Sequence, residues 1–203
     1  MQHKDIPDAQ LHEVKGAATA SAGQILTATG AGIATFQTPL FTKARVGFWD
    51  YNDTATSTTP ITLTAANTEY QLTNNGAGVY TNTAYGLPGI TNIYNTATNY
   101  FNFSSLKLGD TVDIRVEFEV TTGSASNEIG LLMELGIGTT AYKLVVDRQY
   151  FKSASTNKVV ANAHIYIGNN DTKNGLARFL IKNDSTGATV KVAGWYIRVL
   201  TNG

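Results

Sequence analysis

Cysteine is absent from the 203 residues, which excludes disulfides and thiolate metal sites and leaves burial and assembly to supply stability. Charge is scarce: 15% of residues are Asp, Glu, Lys or Arg, against about 25% in an ordinary globular domain. Neither sign is in excess, since 15 basic residues meet 15 acidic ones. No overall field therefore draws the chain to nucleic acid or to an anionic membrane. No stretch approaches the ~18 consecutive apolar residues of a membrane span, and the opening MQHKDIPDAQ has no apolar signal-peptide segment. The expectation is a protein made in the cytoplasm, with no nucleic-acid, membrane or cofactor partner.

What takes the polar role instead is 29 threonines and 17 asparagines, a bias toward β-structure and turns. So weakly charged an exterior suits a chain partly covered by copies of itself or by a scaffold. Period-2 alternation confirms the β reading. In TVDIRVEFEV, Val112, Ile114, Val116, Phe118 and Val120 share one face, with Asp113, Arg115, Glu117 and Glu119 on the other. In IGLLMELGI the apolar face is Ile129, Leu131, Met133, Leu135 and Ile137. VVANAHIYI puts Val159, Ala161, Ala163, Ile165 and Ile167 inward, with Asn162, His164 and Tyr166 outward. Further strands are expected at Arg45–Asp50, Pro60–Thr64, Tyr100–Phe103, Tyr142–Asp147, Leu176–Lys182 and Thr189–Leu200. The last changes parity between Val192 and Trp195, so a bulge is expected at Ala193-Gly194. TTGSASNE, GNNDTKNG and KNDSTGA read as turns, and Thr64–Asn99 as long loops with one short strand pair. Eight to ten short strands and no helical stripe predict an all-β, jelly-roll-like antiparallel sandwich over residues 41–203, with an immunoglobulin-like sandwich as the alternative.

Residues 1–40 differ. In LHEVKGAATASAGQILTATGAGIATFQ, running from Leu11 to Gln37, the large apolar side chains are few. Gln24–Thr27 and Ile33–Gln37 would form a short hairpin across TGAG. Ile25, Leu26, Ile33 and Phe36, at about 1.5–3 kcal/mol each when buried, barely offset about 1–2 kcal/mol of ordering per residue. The hairpin must dock on something, and its small residues permit a close backbone approach.

This run resembles an N-terminal element found in virion proteins of tailed bacteriophages, on head fibres, capsid decoration proteins and some tail fibres. Its pattern is approximately Leu-His-Glu-Pro-Lys-Gly, a small-residue stretch, Gly-Gln with apolars, then Gly-x-Gly and an aromatic. Leu11, His12, Glu13, Lys15 and Gly16 match the first part, and Gly23, Gln24, Gly30, Gly32 and Phe36 the second. Val14 stands where the pattern has proline and relaxes the backbone there. The resemblance covers about 27 residues. It implies a homotrimer on the capsid surface, anchored to the major capsid protein through Leu11–Gly16, Gln24, Ile25, Leu26, Ile33 and Phe36. The strand pattern of the following domain is similar to trimeric jelly-roll modules at the ends of phage fibres.

Catalytic chemistry finds little support. His3, His12 and His164 are the only histidines, and none lies in a GxSxG elbow or an HExxH helix. Glu117 and Glu119 share a strand face about 6.5–7 Å apart along the backbone, yet Arg115 stands beside them on what reads as a solvated surface. The expectation is no enzyme. Oxygen-rich WDYNDT (Asp50, Asn52, Asp53) and GNNDTKNG (Asn169, Asn170, Asp171, Asn174) read as turns before calcium loops, and no metal site is expected. Trp49, Tyr51, Tyr80, Tyr85, Tyr94 and Tyr100, near amides and hydroxyls, are candidates for glycan recognition or for subunit contacts, the plainer alternative being that Trp49 and Tyr100 plug the sandwich ends while the loop tyrosines pack between subunits. The leading expectation is a trimeric capsid decoration, cement or head-fibre protein. The alternative is the receptor-binding tip of a tail fibre or tail spike that recognises host-surface glycans.

Overall fold

The computed structural model describes residues 20–22, 24–30, 33–37, 45–52, 56, 58–74, 80–90 and 93–202. The chain divides into two units, Met1–Thr42 and Lys43–Gly203.

In the first unit, β1 (Ile25–Gly30) and β2 (Ile33–Gln37) form an antiparallel hairpin. Leu26 pairs with Phe36 and Ala28 with Ala34, and the register shifts between Ala28 and Gly30. Strand β1 runs three residues beyond the expected Thr27.

The second unit contains β3 (Arg45–Asn52), β4 (Ile61–Leu63), β5 (Tyr70–Gln71), β6 (Tyr80–Asn82), β7 (Tyr94–Asn95) and β8 (Tyr100–Asn102). It continues with β9 (Thr111–Thr121), β10 (Asn127–Ile137), β11 (Tyr142–Phe151), β12 (Thr156–Tyr166), α1 (Asn170–Asn174), β13 (Leu176–Asn183) and β14 (Ala188–Thr201). Eight strands carry the architecture: β3 and β8 to β14. The first pairs with the last, β8 with β13, β9 with β12, and β10 with β11. Such nested pairing is one long hairpin rolled up. It yields two facing antiparallel sheets, β12-β9-β14-β3 and β11-β10-β13-β8, the jelly-roll sandwich. The expected fold class is the observed one. The short strands β6 and β7 extend the β3 and β8 edges, while β4 and β5 add to β14 and β13.

The core follows the alternation. Val112, Ile114, Val116, Phe118 and Val120 are all buried, opposite Ile129, Leu131, Met133 and Leu135 of the other sheet. Ile137, expected on that face, is only half-buried. The β10–β13 register shifts between Glu134 and Ile137, and Gly136 adopts φ +72°. Beside Val116 and Met133, midway along β9 and β10, the core is aromatic. Phe179 and Trp195 stack at 5.5 Å, and Phe101 meets both edge-on at 5.7 and 5.8 Å.

The predicted bulge is present: register shifts between Val192 and Gly194, which flips Ala193 out and lets both Val190 and Trp195 face the core. Glycine is required there, because a Cβ would overlap the Tyr51 carbonyl oxygen. One expectation is corrected. GNNDTKNG contains a helical turn, α1, because Asn169 caps it and accepts a hydrogen bond from the Thr172 amide at 2.8 Å.

Candidate functional site

Strand register assembles a polar and aromatic surface on the outer face of the β12-β9-β14-β3 sheet. Directly opposed residues form rows across all four strands. One row is His164, Asp113, Arg198 and Phe48; the next is Asn162, Arg115, Tyr196 and Asp50. Alternation explains the selection, since each is the outward neighbour of a core residue such as Ala163, Ile114, Ile197 or Trp49. All of the row residues but Asp50 line a shallow depression.

Its side chains are fixed by one another. Arg198 Nε donates to Asp113 Oδ2 at 2.7 Å, Arg198 Nη2 reaches the same oxygen, and His164 Nδ1 lies against Asp113 Oδ1. Burial is the largest single influence on the Asp113 carboxyl and pushes its pKa up. Hydrogen bonds from His164 and Arg198, with their charges, outweigh it and leave the pKa below the usual aspartate value. Arg115 pairs with Glu117 at 3.0 Å and lies over the Tyr196 ring, 5.1 Å from its centroid. Phe48 and Tyr196 stack 5.8 Å apart with 29° between their planes. Both rings are half-buried, while Asn162 and His164 are exposed. The arrangement offers an aromatic shelf, its two rings tilted by 29° and one of them partly covered by Arg115, edged by planar polar groups.

The sequence-derived candidates divide. Trp49, Tyr51 and Tyr94 are 4%, 0% and 2% exposed, so they are core residues and reach neither a sugar nor another subunit. Their parity explains the correction: Gly47, Trp49 and Tyr51 face inward on β3, which leaves Phe48 and Asp50 outward. Tyr85 is exposed, and its carbonyl accepts from the Phe48 amide at 3.0 Å, which places it beside the β3 end of the shelf. Tyr100 belongs to the other sheet, with Arg178 5.9 Å from its ring centroid. Tyr80 begins β6, whose side chains lie outside the described residues. Asp113, Arg115 and His164 were visible in the sequence only as a solvated face. Phe48, Tyr196 and Arg198 were missed, although outward parity on β3 and after the bulge would have located them.

Glu117 and Glu119 each face a cation, Arg115 at 3.0 Å and Lys191 at 3.6 Å. Asp50 and Asn52 are on β3, while Asp53 lies outside the described residues.

On the hairpin, Ile25 and Leu26 are exposed at 51% and 43%, and Phe36 is half-buried. The Gln24 side-chain oxygen accepts from the Ser21 amide at 2.9 Å. Leu11, His12, Glu13, Val14, Lys15 and Gly16 lie outside the described residues, as does the Ile33 side chain.

No protein-family model matches the chain, and no curated protein matches it. Among solved structures it is similar to the CBM22-1 xylan-binding domain of Paenibacillus barcinonensis Xyn10C, at 13% identity and TM-score 0.35, over 50% of this chain and 64% of that one. It is also similar to a chain of the infectious bursal disease virus Gx strain, at 10% identity and TM-score 0.40, over 86% of this chain and 36% of that one. A third is the PRD1 vertex protein P5, at 11% identity and TM-score 0.36, over 90% and 83% of the two chains. The chain thus spans less than two thirds of the xylan-binding domain and of the bursal disease virus chain. The jelly-roll assignment rests on the strand pairing itself.

Proposed function

We propose that this chain is a structural virion protein of a tailed bacteriophage, a trimeric capsid decoration or head-fibre protein attached to the major capsid protein through its N-terminal arm. The observation that carries the reading is the hairpin: a two-stranded element in a unit of its own, with Ile25 and Leu26 exposed. A hairpin so small and so bare is marginal in water unless it docks, and the phage-like pattern around it supplies the partner.

Edge strand β11 supports association of copies. Tyr142 and Leu144 lie opposite Leu135 and Met133 of β10 and so continue its core-facing row, yet they are 37% and 39% exposed. Val145 and Tyr150 are exposed as well. An edge strand of ten residues with this much uncovered apolar surface invites a neighbouring chain. Zero formal net charge leaves little repulsion between copies.

The full chain carrying Ile25→Ser and Leu26→Ser tests the anchor. The variant should keep its thermal melt and a solution mass of three chains, but fail to cosediment with particles that lack the protein. Undiminished cosedimentation would sink the reading.

A further inference from the structure

We propose that the outer face of the β12-β9-β14-β3 sheet is a binding site for a neutral carbohydrate. The inference is independent of the particle role, because it rests on the jelly roll's own side chains and not on the arm.

Three observations carry it. First, Phe48 and Tyr196, on adjacent strands β3 and β14, stack with centroids 5.8 Å apart and 29° between their planes, and both are half-buried in the wall of the depression. Arg115 covers part of Tyr196, and the aromatic carbon left open to the depression can meet the C–H groups of a sugar ring. Second, the polar groups around it are planar and already held. Asp113 is gripped by Arg198 and His164, and Arg115 is fixed between Glu117 and the Tyr196 ring. Little side-chain freedom is then lost when hydroxyl groups exchange with water at these atoms. Asn162, directly opposite Arg115, adds an exposed amide with both donors and an acceptor.

Third, charge selects the ligand class. The guanidinium groups of Arg198 and Arg115 are matched by the carboxylates of Asp113 and Glu117. No uncompensated cation in this cluster awaits a phosphate or a carboxylate, so the remaining hydrogen-bonding capacity suits neutral hydroxyls. A contact with another protein is disfavoured, because interface centres are depleted in charge and here five charged groups, Asp50 among them, surround two rings.

Calorimetric titration of the full chain with neutral hexasaccharides of glucose, mannose, galactose and xylose, and with sialyllactose as the anionic comparison, tests the site. We expect at least one neutral oligosaccharide to bind, with affinity little changed by added salt. Tyr196→Ala should weaken it by about tenfold or more, the scale of a lost aromatic anchor. Asn162→Ala, at an exposed position that leaves the fold intact, should weaken it by about two- to fivefold. Thermal melts of both variants accompany the titrations. The proposal is overturned if none of the neutral sugars binds, if binding is unchanged in the correctly folded Asn162→Ala variant, or if only sialyllactose binds and salt abolishes it.

Discussion

At the residue scale, the outer-face cluster is organised by Asp113, which receives hydrogen bonds from Arg198 and stands against His164. Its lowered pKa makes a signed prediction. A carboxyl whose folded pKa lies below the unfolded value of about 3.9 stabilises the fold above that value, and the contribution disappears as pH falls through the folded pKa. Asp113→Asn should therefore cost about 0.5–1 kcal/mol at pH 7, the scale of a partly exposed ion pair. In urea melts the variant and the parent should converge in acid; a gap that stays constant with pH contradicts the assignment. Single residues were unevenly legible in the sequence. Val112 and its partners declare themselves through alternation, whereas Tyr51, and Trp49 in one of its two readings, are expected at the surface although Asp50 and Asn52 mark the opposite parity as outward. Aromatic identity outweighed periodicity in that reading, and periodicity was the better guide because burial acts on parity.

At the scale of elements, the bulge in β14 decides which side chains reach the core. If Ala193 were paired regularly instead of bulged out, Trp195, Ile197 and Val199 would turn to solvent and Tyr196 and Arg198 inward. Gly194→Ala places a methyl against the Tyr51 carbonyl and should destabilise by about 1–3 kcal/mol. For a chain of this size that lowers the melting temperature by about 2–4 °C per kcal/mol. Gly123→Ala, where the added carbon would sit 3.6 Å from the Gly187 oxygen, should change stability by no more than about 0.5 kcal/mol. Equal melting temperatures for the two variants would show that Gly194 is not constrained. The bulge was legible because the inward parity changes within one strand. The C-terminal half of β11 was not: Arg148 to Tyr150 are exposed on both faces of an edge strand, so no burial contrast marks them. Strands β5 and β7, two residues each, are too short for any period to show.

At the scale of the whole molecule, composition and turn spacing announce a β-sandwich, but pairing is another matter. Arg45 pairs with Thr201 and His164 with Asp113. Such register is set by packing between distant segments, which local pattern does not encode. The candidate site therefore lay outside what sequence reading could assemble: its members come from four strands, and only their nested pairing brings them into rows. The arm shows the opposite balance. Its sequence pattern carries the resemblance to phage virion proteins, and its exposed Ile25 and Leu26 give that resemblance a physical counterpart. The central claim is that these arms fix a trimeric jelly roll to a capsid. Cryo-electron microscopy of the intact particle tests it most directly. The account predicts three jelly-roll densities clustered at repeated positions over the capsid shell, with the hairpins seated on the major capsid protein. Density confined to the tail, or single chains with their hairpins free of the shell, would contradict it.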